Sequence, residues 1–257
     1  GNETAAKQCL LIHGWGMNSA VWNNVASALS VDFPERFIEA VDLPGFGYSA
    51  EIELDEDYNS KMLADWLKPM VMQKLTTVIA WSMGGLPAID LLEQCPGQIE
   101  RLILVASSPK FVQDEDWLEA VEPEIFESFC QSLSDDPQAT LRRFLAIQTM
   151  GSKTAREDIR TLQEALATRG NANQFALRKG LEMLLNEDKR VQMMKNGGVP
   201  VDLVCGERDT LVKLEAQKLL AQQANVSIYS IPGAGHAPFI SHPNEFQAIL
   251  TAVLSAE

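Results

Sequence analysis

"TTVIAWSMGGLPAIDLL" (Thr76–Leu92) is the stretch on which the reading of this chain turns. Its first half, Thr76 to Trp81, is a short run of β-branched and apolar residues. From Gly84 onward apolar residues return at helical spacing. Between the two stands Ser82, on a corner with Gly84 and Gly85 behind it. A strand that turns into a helix without an intervening loop is a βα unit, the building block of α/β proteins.

Comparable runs recur on either side: 8–14, 36–45, 99–109, 199–209 and 226–236. They are nearly continuous in apolar residues rather than alternating, as expected of parallel strands covered on both faces. Helical patterns lie between them: Ser19–Ser30 opening on a serine cap, Tyr58–Leu75 with Pro69 as a kink or break, Gly84–Cys95, Leu211–Ala224 and Pro243–Leu254. The expected fold class is α/β, a mostly parallel doubly wound sheet with right-handed crossovers. Residues 110–198 break the alternation, because only helical segments occur there, with breaks at "EPE", "SDDP" and "GSKT". The expected organisation is a core of 1–109 and 199–257 with a helical lid, 110–198, inserted in it.

In such a sheet, ligands sit beyond the C-terminal ends of the strands. Ser82 falls at one. The pattern small-x-Ser-x-Gly is a nucleophile elbow, in which a strained turn projects the hydroxyl and small neighbours avoid clashes. The usual first glycine is Ala80 here, the next smallest residue. A serine needs a base for its proton, and the base needs an orienting acid. His236, in the glycine-rich "IPGAGHAPF" after the last strand run, is the best placed of the three histidines. His13 is expected to hold its own loop, and His242 leads into the last helix. Asp209 in "LVCGERDTLV" supplies the acid. Glu207 precedes the turn, Asp202 lies inside the strand, and "LVASSPK" carries no carboxylate. The order Ser82, Asp209, His236 is that of the α/β-hydrolases. A developing oxyanion needs two donors. The backbone N–H groups of Met83 and of Trp15, in "HGWG" (13–16), are the candidates, and the helix N-terminus adds partial positive charge beside Met83. "VDLPGFGYS" (41–49) reads as a packed loop without chemistry.

Composition narrows the function. At 257 residues, with 46% apolar and 22% charged, the chain suits one large globular domain. No window nears the ~18 apolar residues of a membrane span, and the first residues lack the pattern of a signal peptide. Cys9, Cys95, Cys130 and Cys205 are scattered, with no CxxC or Cys/His ligand spacing, so a reduced, cytoplasmic protein without a zinc site is expected. The net charge of −14 disfavours nucleic acid.

Together these motifs resemble the α/β-hydrolase superfamily across nearly the whole chain. Within it, "LLIHGWGMNSAVW", "VDLPGFGYS", "WSMGGL", "VASSPKF", "RFLAIQTMGSKTAR" and "GHAPFISHPNEF" resemble the pimeloyl-[acyl-carrier protein] methyl ester esterases of biotin synthesis. The piece inside the insertion is the more specific. That resemblance implies a serine carboxylesterase that needs no cofactor and acts on a pimeloyl methyl ester borne by acyl carrier protein. It implies Ser82, Asp209 and His236 as catalytic residues and Trp15 and Met83 as the oxyanion hole. Trp15, Ser82, Met83, Phe144, Leu145, Ala146, Ile147, Gln148 and His236 would contact substrate. Lid arginines that meet the carrier in that family match Arg143, Arg156 and Arg160. The fourth such position is Ala139 here, with Arg142 nearby. Arg142, Arg143, Lys153, Arg156 and Arg160 outweigh Glu157 and Asp158, so residues 139–160 carry +3 and the rest of the chain −17. A basic patch on an acidic protein would steer an acidic partner to one place. A monomer is expected. The competing readings are a short-chain carboxylesterase or thioesterase of the same fold and, further off, a non-catalytic binding protein.

Overall fold

The computed structural model describes residues 2–150, 152–223 and 225–256. Six parallel strands form one sheet: β1 (Lys7–Ile12), β2 (Arg36–Val41), β3 (Leu75–Trp81), β4 (Ile99–Val105), β5 (Val201–Gly206) and β6 (Val226–Ile231), in the order β2-β1-β3-β4-β5-β6. All six expected runs are strands, each ending earlier than its apolar stretch. The winding reverses between β1 and β3, whose register pairs Ile12 with Ala80. The loops that leave these two strands therefore emerge side by side, at the switch point where such sheets bind ligands.

Side chains alternate between two apolar layers, as a pleated strand requires. Val78 and Ala80 of β3 join one layer with Leu10, Ile12, Leu102 and Leu104, under α2 (Ser60–Val71) and α3 (Gly85–Gln94). Ile79 and Trp81 join the other with Cys9, Leu11, Ile103 and Val105, under α1 (Asn23–Asp32) and α11 (Pro243–Ser255). Burial on both faces explains why the strand runs read as continuous.

Three helix boundaries differ from the sequence expectation. The first helical stretch is capped by Asn18, not Ser19: the Asn18 side chain accepts from Ala20 N at 3.0 Å, and a 3-10 turn over Ser19–Trp22 precedes α1. The helix over 58–75 runs through Pro69 and ends at Val71. The stretch expected as helix from Leu211 is helical only in α9 (Leu214–Leu220). Asp209 Oδ1 takes the N–H of Leu211 at 2.8 Å and of Val212 at 3.0 Å, a local turn that competes with helix. The expected end of that helix, Ala224, lies outside the described residues.

Between β4 and β5 come α4 (Pro123–Asp135), α5 (Pro137–Gln148), α6 (Ala155–Ala167), α7 (Gln174–Asn186) and α8 (Arg190–Met194). Near its far end the segment returns to its start, where Lys189 N donates to Pro109 O at 2.7 Å. α10 (Pro238–Ser241) follows β6. Among the described residues, no helix is long and apolar enough to cross a membrane.

Candidate active site

At the C-terminal end of β3 the backbone of Ser82 takes φ 54°, a left-handed conformation that costs a non-glycine residue roughly 1 kcal/mol or more. Packing enforces it. A Cβ on Gly84 would lie 2.6 Å from His13 O, and one on Gly85 would lie 2.0 Å from Ser107 Oγ. Only glycine lets the turn press this closely against the ends of β1 and β4. Ala106, at the end of β4, shares the strained conformation (φ 43°), and the next residue uses it: Ser107 Oγ donates to Ser82 O at 2.6 Å.

The three side chains named from the sequence meet here. His236 Nε2 is 2.8 Å from Ser82 Oγ, and His236 Nδ1 is 2.8 Å from Asp209 Oδ2. Asp209 offers only acceptors to the ring, so Nδ1 carries the proton and Nε2 is left to accept from the serine. The other oxygen of Asp209 is held by the N–H groups of Leu211 and Val212, which fix the carboxylate. All three residues are buried, Ser82 only 2% exposed.

His236 is fixed by its backbone as well. Trp81 Nε1 donates to its carbonyl at 2.8 Å, and its own N–H donates to Gln148 O, at the end of α5, at 3.1 Å. Ser107 and Trp81 were not singled out from the sequence. Their local signals are weak: two serines after a strand, and a tryptophan before the elbow.

The "HGWG" loop lies against the elbow, since a Cβ on Gly14 would be 3.0 Å from Ser82 Cβ. That puts Trp15 and Met83 on the two chain segments flanking Ser82. The Trp15 indole donates to Leu177 O at 2.7 Å, and its ring meets Phe144 edge-on at 4.6 Å. His13 holds this loop. Nδ1 lies 2.8 Å from Gly14 O, and Nε2 takes the N–H of Leu43 at 3.1 Å. Nδ1 donates and Nε2 accepts, a pair that only the neutral ring makes together, and burial pushes its pKa down to about 4. In the 41–49 loop, Asp42 is buried too. Burial alone would raise its pKa, but N–H donors from Ser19 (2.6 Å) and Tyr48 (3.0 Å) outweigh it and hold the carboxyl below its ordinary value.

The five consecutive residues Phe144–Gln148 do not share one wall, because a helix turns about 100° per residue. Phe144 packs on Trp15 and Phe129, and Gln148 is fully buried beside His236. Leu145 belongs to the opposite apolar layer with Leu162, Ile147 is half-buried, and Ala146 is exposed. Arg142 and Arg143 on α5 and Arg156 and Arg160 on α6 are all exposed, while Ala139 is half-buried. A groove of about 470 Å³ between α5 and α6, lined by Leu141, Arg142, Leu145 and Leu166, opens on this face. A buried serine, a base and an acid in hydrogen-bonded sequence can activate a hydroxyl for attack on an acyl carbon.

Residues 9–249 match the alpha/beta hydrolase family. The chain belongs to that family. Among curated proteins it is 38% identical over 247 residues to the "Pimeloyl-[acyl-carrier protein] methyl ester esterase" of Photobacterium profundum, covering 95% of this chain and 93% of that one. It is 40% identical over 243 residues to the protein of the same name from Aeromonas salmonicida, covering 94% and 92%. Among solved structures it resembles a bromoperoxidase from Bacillus anthracis (TM-score 0.87, 21% identity, 98% and 92% covered). It also resembles an esterase from Exiguobacterium antarcticum (TM-score 0.85, 18% identity, 98% and 92% covered). At those identities the two structures speak to the fold alone.

Proposed function

We propose that this alpha/beta hydrolase is a pimeloyl-[acyl-carrier protein] methyl ester esterase, releasing methanol and the free pimeloyl carrier. The carrying observation is identity of 35–40% to five curated proteins of that one name, each alignment spanning 92–96% of this chain. The triad geometry supports the chemistry. Ser82 Oγ attacks the ester carbonyl as His236 Nε2 takes its proton. Asp209 keeps the ring in the tautomer that can accept, and stabilises the imidazolium that forms. The backbone N–H groups of Trp15 and Met83 receive the oxyanion, a contribution of ~3 kcal/mol per donor. His236 then hands the proton to methanol and activates water against the acyl-enzyme.

In this reading residues 110–198 form a lid, and Phe144 and Gln148 bound the acyl site beneath it. Arg142, Arg143, Arg156 and Arg160 form the docking face for the acidic carrier, and the enzyme acts as a cytoplasmic monomer. The test is release of free pimeloyl carrier from its methyl ester by wild type, Ser82→Ala and an Arg143/Arg156/Arg160 charge-removal variant. We expect no turnover by Ser82→Ala, and failure of the arginine variant on the carrier-borne ester only. A wild type that ignores the carrier ester yet cleaves short free esters through Ser82 would make it a general carboxylesterase instead.

A further inference from the structure

We infer that the side-chain amide of Gln148 holds the water that attacks the acyl-enzyme. The inference rests on the serine-esterase reading above and adds a residue to its second half-reaction. Gln148 is fully buried, and neither Oε1 nor Nε2 has a hydrogen-bond partner among the described residues. Leaving a buried amide unsatisfied costs about 1–3 kcal/mol per group, so an apolar side chain of the same length would serve the fold better. Gln94 and Gln217 are left in the same state, but neither is bonded to the triad. Gln148 is: its carbonyl accepts the N–H of His236 at 3.1 Å. Phe144, one helical turn earlier on the same face, packs against Trp15. The backbone of Gln148 is thus tied to the loop of the base, and the helix face it shares with Phe144 meets the loop proposed for the oxyanion.

The chemistry of the partners selects the occupant. Around its reacting carbon a carboxylic ester offers acceptors only and gives Oε1 nothing to accept. Water offers two O–H groups. In deacylation, His236 Nε2 takes one proton as the water oxygen bonds to the acyl carbon, and Gln148 Oε1 accepts a hydrogen bond from the other O–H. The carbonyl electron pair moves to oxygen and returns as the Ser82 Oγ–carbon bond breaks, and Ser82 leaves with the proton from His236. The product is the free acid, and no further reactant is needed.

The test uses a p-nitrophenyl ester, whose leaving group departs without a proton and so reports acylation separately. For Gln148→Met and Gln148→Leu we expect steady-state turnover to fall at least tenfold more than the rate of the p-nitrophenol burst, which carries any loss of acyl binding. The acyl group should be retained on Ser82 by intact-protein and peptide mass. The melting temperature should be unchanged or higher, since two orphaned polar atoms have left the core. Gln148→Asn, which keeps an amide one methylene short, should accumulate acyl-enzyme too and serves if the apolar variants do not fold. Parallel loss of acylation and turnover, or turnover at the wild-type rate, overturns the inference. Turnover by Ser82→Ala would instead overturn the serine reading beneath it.

Discussion

His13 shows how a histidine beside the candidate nucleophile can be committed to holding a loop. Its carbonyl lies against the elbow, 2.6 Å from where a Cβ on Gly84 would stand, yet its ring is committed to Gly14 O and the Leu43 N–H, contacts that only the neutral form makes together. Its pKa, lowered to about 4 by burial, carries a stability consequence. The unfolded chain binds a proton on this ring below about pH 6.5, whereas the folded chain resists it until about 4, so stability falls as pH drops through that window. The shift corresponds to about 3 kcal/mol at most. Urea unfolding of wild type between pH 7 and 4 should therefore show a loss that His13→Gln lacks. Equal pH slopes for the two proteins would show that this ring is not the source. Ser82 pays its cost differently, through a left-handed backbone that Gly84 and Gly85 make room for.

At the scale of elements, the helical segment 110–198 is fastened to α3, the helix that begins at the elbow. Lys189 Nζ lies 2.9 Å from Asp90 Oδ2 on α3, and the same oxygen accepts from Ser60 Oγ at the start of α2. Glu187 Oε1 takes the N–H of Ser60 at 3.0 Å, and Lys110 at the other end of the segment reaches Asp188 at 3.3 Å. Lys189 and Asp90 are mostly buried, so removing Lys189 leaves the Asp90 carboxylate without its cation, whereas Lys189 without Asp90 keeps Glu187 at 3.4 Å. Lys189→Met should cost about 3 kcal/mol in urea unfolding, and adding Asp90→Asn should recover part of it; strictly additive losses would mean the two do not act as a pair. None of this clamp was legible in the sequence, because its members lie on segments far apart in the chain and follow no local period. What was legible had local causes: the six strands came from apolar runs, and the elbow came from glycines that the backbone needs. The triad fell between. Each member sits at a strand end, where the α/β order says to look, but Asp209 also captures the N–H groups of Leu211 and Val212 and shortened the helix that spacing alone predicted. The resemblance implies one lining over Phe144–Gln148 because it transfers positions, whereas the helix sends Leu145 to one layer and Phe144 to the other.

For the whole molecule, the charge distribution sets two opposed effects on an acidic carrier. The chain carries −14 in all, and residues 139–160 carry +3, with Arg142, Arg143, Arg156 and Arg160 exposed. Which effect wins depends on range. At 0.01 M salt the screening length is about 30 Å, comparable to the protein itself, and the carrier feels the net negative charge. At 0.1 M it is about 10 Å, so the distant acidic surface is screened while the arginine face still acts near contact. At 1 M, with about 3 Å, both are gone. The proposed docking face therefore predicts a maximum: kcat/KM on the carrier-borne ester should peak near 0.1 M salt and decline several-fold on either side. A small uncharged ester should show a flat profile. The Arg143/Arg156/Arg160 charge-removal variant should lose the maximum and rise steadily with salt, as repulsion alone requires. A profile for wild type that only rises would place the carrier on a surface other than α5 and α6.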